Sequence, residues 1–272
     1  MSLCVYCDQD KSLTREHILP SFVYKYQESN KKGRTSGWRE KPQKIIEGEA
    51  VIKDVCAECN NVVLGALDGH AKQVLEKAGV FTSNFKKSTL YLEHNYNELS
   101  RWLLKVAYNS SRASGKHQGV FEKFKGFILG ESSDSSQFII SVGLLKSLKL
   151  TKDQYHEYGK DLDADEHRYV NPFYPRISWA PQTPAGFSVK QIVIGALVFH
   201  VVIFNDGISR DERKRLTKQY LEICKGMSLL RKNGKKAKVC QIPLTFIDSM
   251  QHHMLRPEVE PHLAKLLTKT SR

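Results

Sequence analysis

Two pairs of cysteines constrain the N-terminal part of this chain more than any other feature. Cys4 and Cys7 form one Cys-x-x-Cys motif, and Cys56 and Cys59 form a second motif with the same spacing. A tight turn at this spacing lets two thiolates reach one tetrahedral ion, at zinc–sulfur distances of about 2.3 Å. Two such pairs in one chain therefore predict a structural Zn²⁺ site with four cysteine ligands. The alternative is a set of buried or redox-active thiols.

The number of cysteines and the hydropathy indicate the cellular compartment. Six cysteines in 272 residues are too few for a secreted disulfide scaffold. The first of them is residue 4, which leaves no room for a signal peptide, and no apolar run approaches the roughly 20 residues of a membrane span. We therefore expect a cytoplasmic protein with reduced thiols and no membrane partner. Cys224 and Cys240 have no local partner, so we expect both to be small buried hydrophobic residues.

A Glu-His pair and an asparagine accompany the cysteine motifs. Glu16, His17 and Ile18 predict a short strand that ends at Pro20, and Asn60 follows the last cysteine of the second motif directly. A neutral imidazole can take a proton from water near pH 7, and oxygen-bearing side chains are the ligands that Mg²⁺ and Mn²⁺ prefer. These residue types are those that metal-assisted hydrolysis requires.

In this order, the Cys-x-x-Cys motif, the Glu-His pair and the Cys-x-x-Cys-Asn motif resemble the HNH endonucleases with a ββα-metal fold. The likeness is to the zinc-bound branch that includes phage endonuclease VII and related defence nucleases, and it covers about residues 3–70. The resemblance implies that His17 is the general base, that Glu16 and Asn60 hold a catalytic Mg²⁺ or Mn²⁺ ion, and that the substrate is DNA. An RNase with the same site, and a non-catalytic zinc-ribbon protein that binds nucleic acid, remain as alternatives.

The third residue of the HNH motif, a histidine on the helix shortly after the asparagine, has no clear counterpart. Asp68 and His70 lie eight and ten residues beyond Asn60. At 1.5 Å per residue this is about 12–15 Å along a helix. We therefore do not expect these two side chains to bind the same ion as Asn60.

The charge is unevenly distributed along the chain. The whole sequence carries a net charge of +13, of which residues 1–80 contribute +1 and residues 81–272 contribute +12. Between residues 210 and 238, 11 basic side chains face 3 acidic ones. A basic surface of this kind predicts a polyanionic partner, here DNA, held through Arg213, Arg215, Lys235 and Lys236. The alternative is a solubilising surface.

The length of 272 residues predicts two domains, and the pattern of apolar residues predicts an α+β protein. The resemblance implies a zinc-bound ββα-metal module over residues 1–80. A larger α+β domain is expected over 81–272, which would bind DNA or contact a regulatory protein or a second copy of the chain. By analogy with similar nucleases, the expected setting is bacterial defence against phage.

Individual elements follow from the same pattern. Helices are expected at 60–78, ended by Gly79, at 98–114, and from a cap at Ser209 to about Cys224. Strands are expected at 45–52, 127–129, 138–142 and 192–204. We expect the segment 21–54 to contain a loop in which Trp38 stacks on a nucleic-acid base or packs on the protein.

Overall fold

The computed structural model describes residues 2–30, 36–39, 44–180 and 185–249. The N-terminal part consists of short strands followed by a helix. Its elements are β1 (Leu13–His17), α1 (Ser21–Asn30), β2 (Ser36–Arg39), β3 (Lys44–Glu47), β4 (Val51–Cys56), a π-helical turn (Cys59–Leu64) and α2 (Gly65–Ala78). Strands β1 and β4 pair antiparallel, with Leu13 opposite Cys56 and His17 opposite Val51. This pairing places the second cysteine motif beside the start of β1.

The rest of the described chain forms a mixed sheet with helices on both faces. Its elements are β5 (Thr89–Glu93), α3 (Tyr96–Ser114), α4 (Gly119–Glu122), α5 (Lys125–Leu129), β6 (Phe138–Lys146), α6 (Lys152–Tyr158), β7 (Arg176–Trp179), β8 (Phe187–Ile194), β9 (Leu197–Phe204), α7 (Arg210–Ile223), β10 (Ser228–Leu229) and β11 (Lys236–Thr245). The seven-stranded sheet has the order β5-β11-β6-β9-β8-β7, and β10 pairs with β6. The expected α+β class is confirmed.

Both faces of the central strands are buried, which explains their continuous apolar sequence. In β9, Leu197 and Phe199 belong to the core that includes α3, whereas Val202 and Phe204 pack with Leu216 of α7. Because successive strand residues point to opposite faces, a strand covered on both sides must be apolar at almost every position.

Several expected elements are confirmed. Helix α3 begins two residues before the expected start, because the side chain of Asn95 accepts hydrogen bonds from the backbone N–H groups of Asn97 and Glu98. Helix α2 ends at Gly79, which has a positive φ of 70°. The hydroxyl of Ser209 caps α7 by accepting a hydrogen bond from the Glu212 N–H at 3.2 Å.

Other expectations were wrong in detail. The run 127–129 lies in α5, because a short apolar run fits a helix as well as a strand. The run 192–204 forms parts of two strands that turn at Gly195, where φ is 57° and an added Cβ would lie 2.8 Å from the carbonyl oxygen of Val80. Strand 45–52 is divided between β3 and β4.

Two further differences concern the loop and the remaining cysteines. Residues 21–30, the first part of the expected loop segment, form helix α1. Cys224 and Cys240 are partly rather than fully buried. The side chain of Trp38 lies outside the described part of the structure.

One apolar core extends across residue 80, where the sequence predicts a domain boundary. It includes Leu67 and Leu75 of α2, Leu99 and Trp102 of α3, and Phe199 of β9. The boundary therefore does not coincide with a break in the core. The division into two domains stays a prediction. Among the described residues, no helix has the length and apolar character needed to cross a bilayer.

Candidate functional site

The four cysteines of the two motifs form one cluster. Their sulfur atoms all lie within 4.8 Å of one another, and the Sγ atoms of Cys7 and Cys56 are 3.9 Å apart. A tetrahedral ion with bonds of about 2.3 Å separates its sulfur ligands by about 3.8 Å. Within the described residues, no other group of three or more histidine, cysteine or acidic side chains has ligand atoms this close. The cluster can hold one metal ion.

Backbone hydrogen bonds shape this cluster. The first motif lies in a turn in which Cys4 N–H donates to the Gln9 carbonyl and Asp8 N–H donates to the Cys4 carbonyl, both at 2.9 Å. The N–H of Cys56 donates to the sulfur of Cys4 at 3.3 Å, and the N–H of Cys59 donates to the sulfur of Cys56 at 3.5 Å. Such donors orient the sulfur atoms and favour thiolates.

The same hydrogen bonds affect ionisation. Although burial opposes the charged form, backbone N–H groups of Cys56, Cys7 and Tyr6 lower the pKa of Cys4 to about 7. Burial raises the pKa of Cys59, and its cysteine neighbours add to this effect. A metal ion held by four thiolates must displace the remaining protons, so its affinity falls as the pH is lowered.

His17 lies at the end of β1 with its side chain 31% exposed. Its Nε2 atom contacts the carboxylate of Glu49, which lies two residues before β4. The β1–β4 pairing sets His17 opposite Val51 and so brings Glu49 close. The phenol of Tyr24 accepts a hydrogen bond from the neighbouring Ala50 N–H at 3.3 Å. Sequence reasoning missed Glu49, because this acidic residue matches no motif.

Glu16 points to the opposite side of β1, as strand alternation requires. Glu16 is buried, with only 3% of its surface exposed. Its Oε1 atom lies 2.7 Å from Nζ of Lys105 and accepts a hydrogen bond of 3.0 Å from the side-chain amide of Asn109. The structure therefore assigns Glu16 and His17 different partners, although they are adjacent in the sequence.

Asn60 connects the π-helical turn to β1. Its amide nitrogen donates to the hydroxyl of Thr14 at 2.9 Å and to the carbonyl oxygen of Arg15 at 3.0 Å. The β1–β4 register shifts between these two residues. Asn60 thus lies beside the strand that carries Glu16 and His17, and its amide nitrogen is used for structure.

One face of α3 supplies polar partners that sequence reasoning did not identify. Lys105 is fully buried and its Nζ atom lies 2.7 Å from both Glu16 Oε1 and Asp68 Oδ1. The indole N–H of Trp102 also donates to Asp68, at 3.1 Å. If all three ionisable groups are charged, they carry one net negative charge. The sequence feature that could have identified these partners is a lysine within the apolar pattern of α3.

Asn109, one turn further along α3, holds the backbone of the candidate base. Its amide nitrogen donates to the His17 carbonyl oxygen at 2.9 Å, and its Oδ1 atom accepts from the hydroxyl of Tyr6 at 2.6 Å. Arg112 also donates to Asn109 Oδ1 and pairs with Asp54. Helix α3 thereby fixes both β1 and the first cysteine motif.

The four basic residues predicted to bind nucleic acid lie on two elements. Arg213 and Arg215 are on α7, where Arg213 donates to the Ser136 carbonyl and Arg215 pairs with Glu212 at 2.6 Å. The other two are Lys235, which directly precedes β11, and Lys236, its first residue. The ammonium of Lys236 is 4.8 Å from the centre of the Tyr91 ring and 3.8 Å from Glu93. The side chain of Lys235 is exposed.

A second polar cluster lies under α7. Its His200 accepts a hydrogen bond from the Tyr220 hydroxyl at Nδ1 (2.9 Å) and donates from Nε2 to Gln191 (3.1 Å). Tyr220 contacts Ser141 in turn. Burial lowers the pKa of His200 to about 4, so the ring is neutral near pH 7. Because both ring nitrogens have protein partners, this cluster is structural.

Comparison of the chain with protein-family models, with curated proteins and with solved structures found no match in any of the three. The function must therefore be inferred from the residues of this chain and from their geometry.

Proposed function

We propose that the chain is a metal-dependent endonuclease that hydrolyses phosphodiester bonds, with DNA as its substrate. The observation that carries this proposal is the position of His17. Its ring is partly exposed and oriented by Glu49, and its backbone is held by Asn109. The same strand lies against the element that bears Asn60. The resemblance of the ordered motifs to HNH endonucleases supports the same reaction.

In this proposal the cysteine cluster binds one structural zinc ion. Four thiolates fill the tetrahedral coordination sphere, so no position remains for a water molecule or a substrate. Such an ion would connect the turn at Cys4 and Cys7 to the end of β4 and the π-helical turn. It would thereby hold β1 and Asn60 in register.

The zinc assignment predicts the metal content of the protein. Wild-type protein purified without chelator should contain one zinc per chain by elemental analysis, and Cys59→Ser should lose it and unfold at a lower temperature. Cys240→Ser, which alters a cysteine outside the cluster, should retain the zinc. Zinc-free wild-type protein with an unchanged melting temperature would rule out the structural ion.

The contact between His17 and Glu49 suggests how the base is prepared. A carboxylate accepts hydrogen bonds, so Glu49 holds the Nε2–H tautomer and leaves the lone pair on Nδ1 of His17. Nδ1 then takes the proton of the attacking water, and the imidazolium that forms is stabilised by the adjacent carboxylate. Glu49 would thus orient the base, as an acidic partner does in other catalytic sites.

The residues proposed to hold Mg²⁺ or Mn²⁺ fit a hard cation in part. Glu16 and Asn60 offer oxygen donors. Among the described residues, the contacts of Glu16 are made through Oε1, so Oε2 is the oxygen available to an ion. When bound, the ion stabilises charge that develops on the phosphate during hydrolysis.

The basic residues of α7 and β11 are proposed to bind the phosphate backbone. Charge reversal at Lys235 and Lys236 should weaken DNA binding and reduce the slope of log K against log salt by about two, since each lysine contact contributes about one. Reversal at Arg213 and Arg215 should act in the same direction. Fluorescence anisotropy with a labelled duplex at several salt concentrations measures both quantities.

The matched control for these variants is Lys152→Glu with Lys160→Glu. These two lysines are exposed on and after α6, away from the basic stretch. The control lowers the net charge of the protein by the same amount as the test variants. An equal loss of affinity in the control would assign the effect to net charge, and unchanged binding in the test variants would assign these residues to solubility.

The substrate is tested by incubating the protein with supercoiled plasmid, linear duplex, single-stranded DNA and RNA, each with Mg²⁺ or Mn²⁺ and with EDTA. The proposal expects metal-dependent cleavage of DNA. Cleavage of RNA alone would favour the RNase alternative. We also propose a cytoplasmic role in defence against phage, with a regulatory protein or a second copy of the chain as partner.

A further inference from the structure

A cavity of about 150 Å³ lies between helix α2 and the junction of β5 with α3. Two histidines line it: His70 of α2, and His94, which directly follows β5. Glu93 and Lys77 also line the cavity. None of these residues belongs to the proposed nuclease site.

The hydrogen bonds of the two histidines set the same tautomer in both rings. Nδ1 of His94 lies 3.0 Å from the carbonyl oxygen of Leu92, and Nδ1 of His70 lies 2.9 Å from Oε2 of Glu98. A carbonyl and a carboxylate only accept hydrogen bonds, so each Nδ1 carries the hydrogen. In the neutral ring, the lone pair is then on Nε2.

Both Nε2 atoms are buried, and neither has a hydrogen-bond partner in the described part of the chain. His94 as a whole is only 7% exposed. Buried polar atoms are normally paired, because leaving one without a partner is unfavourable. Two such atoms, both on residues that line one cavity, are available to a ligand that accepts electron pairs from nitrogen.

We propose that this cavity binds one divalent transition-metal ion through Nε2 of His70 and Nε2 of His94. Metal-binding histidines characteristically donate their other ring N–H to a carboxylate or a backbone carbonyl, as both do here. Imidazole nitrogen suits Zn²⁺, Ni²⁺ and Co²⁺ better than Mg²⁺ or Ca²⁺.

The rest of the cavity is consistent with a cation. Its volume leaves room for water molecules, at about 30 Å³ each, as the further ligands. Lys77 is exposed, so its ammonium group can extend into solvent. An anion would need hydrogen-bond donors, whereas both Nε2 atoms present lone pairs. The ion would connect α2 to the start of α3.

The test uses the full-length protein with zinc loaded in its cysteine cluster, titrated with Ni²⁺ at pH 8 in a buffer that does not bind metal. Calorimetry and elemental analysis after dialysis should show one Ni²⁺ per chain with the zinc retained. His70→Gln and His94→Gln should each weaken Ni²⁺ binding by at least about 100-fold, and Glu98→Gln, which alters a partner of a ligand, by about 10-fold.

The matched control is His156→Gln, which removes an exposed histidine on α6 and should leave Ni²⁺ binding unchanged. Circular dichroism verifies that each variant folds. If His94→Gln does not fold, His70→Gln decides, because His70 is partly exposed. Absence of a Ni²⁺ equivalent in the wild type, or full binding in His70→Gln, would overturn the proposal.

Discussion

Replacement of His17 by alanine is expected to lower the rate of DNA cleavage by about 10²–10⁴-fold, the usual contribution of a positioned general base. Zinc content and DNA affinity should remain close to those of the wild type, because the ring is partly exposed and its main side-chain partner, Glu49, is also near the surface. Single-turnover cleavage of plasmid, with anisotropy for binding, separates the two effects.

The control for this variant is His156→Ala, which should cleave at the wild-type rate. Glu49→Gln should lower the rate by less than His17→Ala, since glutamine still accepts a hydrogen bond but carries no charge. A His17→Ala protein as active as the wild type would exclude the base and favour the zinc-ribbon alternative.

Replacement of Lys105 by methionine should destabilise the protein by about 3–5 kcal/mol, because it removes one partner of a buried ion pair and leaves the others uncompensated. Methionine has a similar length and keeps the apolar contacts, so the effect reports the lost charge. Glu16 and Asp68 are the carboxylates left without their ammonium partner. Denaturant unfolding monitored by circular dichroism gives the free energy of unfolding.

The comparison variant is Lys123→Met, which breaks an ion pair with the exposed residue Asp206. A surface pair of this kind contributes about 0–1 kcal/mol. Equal effects of the two substitutions would show that the contacts of Lys105 with Glu16 and Asp68 add little to stability. The hydrogen bonds of Asn109 to Glu16 and to the His17 carbonyl would then be the contacts through which α3 holds β1.

The cysteine cluster and helix α3 could be predicted because their signals are local. A Cys-x-x-Cys motif is completed within one turn, and the apolar positions of α3 repeat within a few residues. The equal spacing of the two cysteine motifs also predicted that all four cysteines would share one site, and the sulfur distances confirm that they cluster. These features depend little on the rest of the fold.

The partners of Glu16 and His17 could not be predicted, because they come from distant parts of the chain. Glu49 reaches His17 only through the β1–β4 register, and Lys105 and Asn109 reach β1 only once α3 packs against it. Strand alternation explains why Glu16 and His17 point to opposite sides of β1, but it does not determine what each side contacts.

The short apolar runs were the least predictable part of the fold. Residues 127–129 are too few to show a helical or a strand period. The turn between β8 and β9 consists of Gly195 and Ala196, so it lacks the polar residues that usually mark a hairpin. Because the sheet is buried on both faces, its sequence shows no polar residues that would mark where β8 ends and β9 begins.

The most direct test of the central claim is a time course of supercoiled plasmid with the wild-type protein, in Mn²⁺ or Mg²⁺ and in EDTA. The account predicts conversion to nicked and linear DNA with the metal ion and none with EDTA, and loss of the conversion in His17→Ala. Plasmid that stays supercoiled under all these conditions, while the zinc-loaded protein still binds it, would contradict the account.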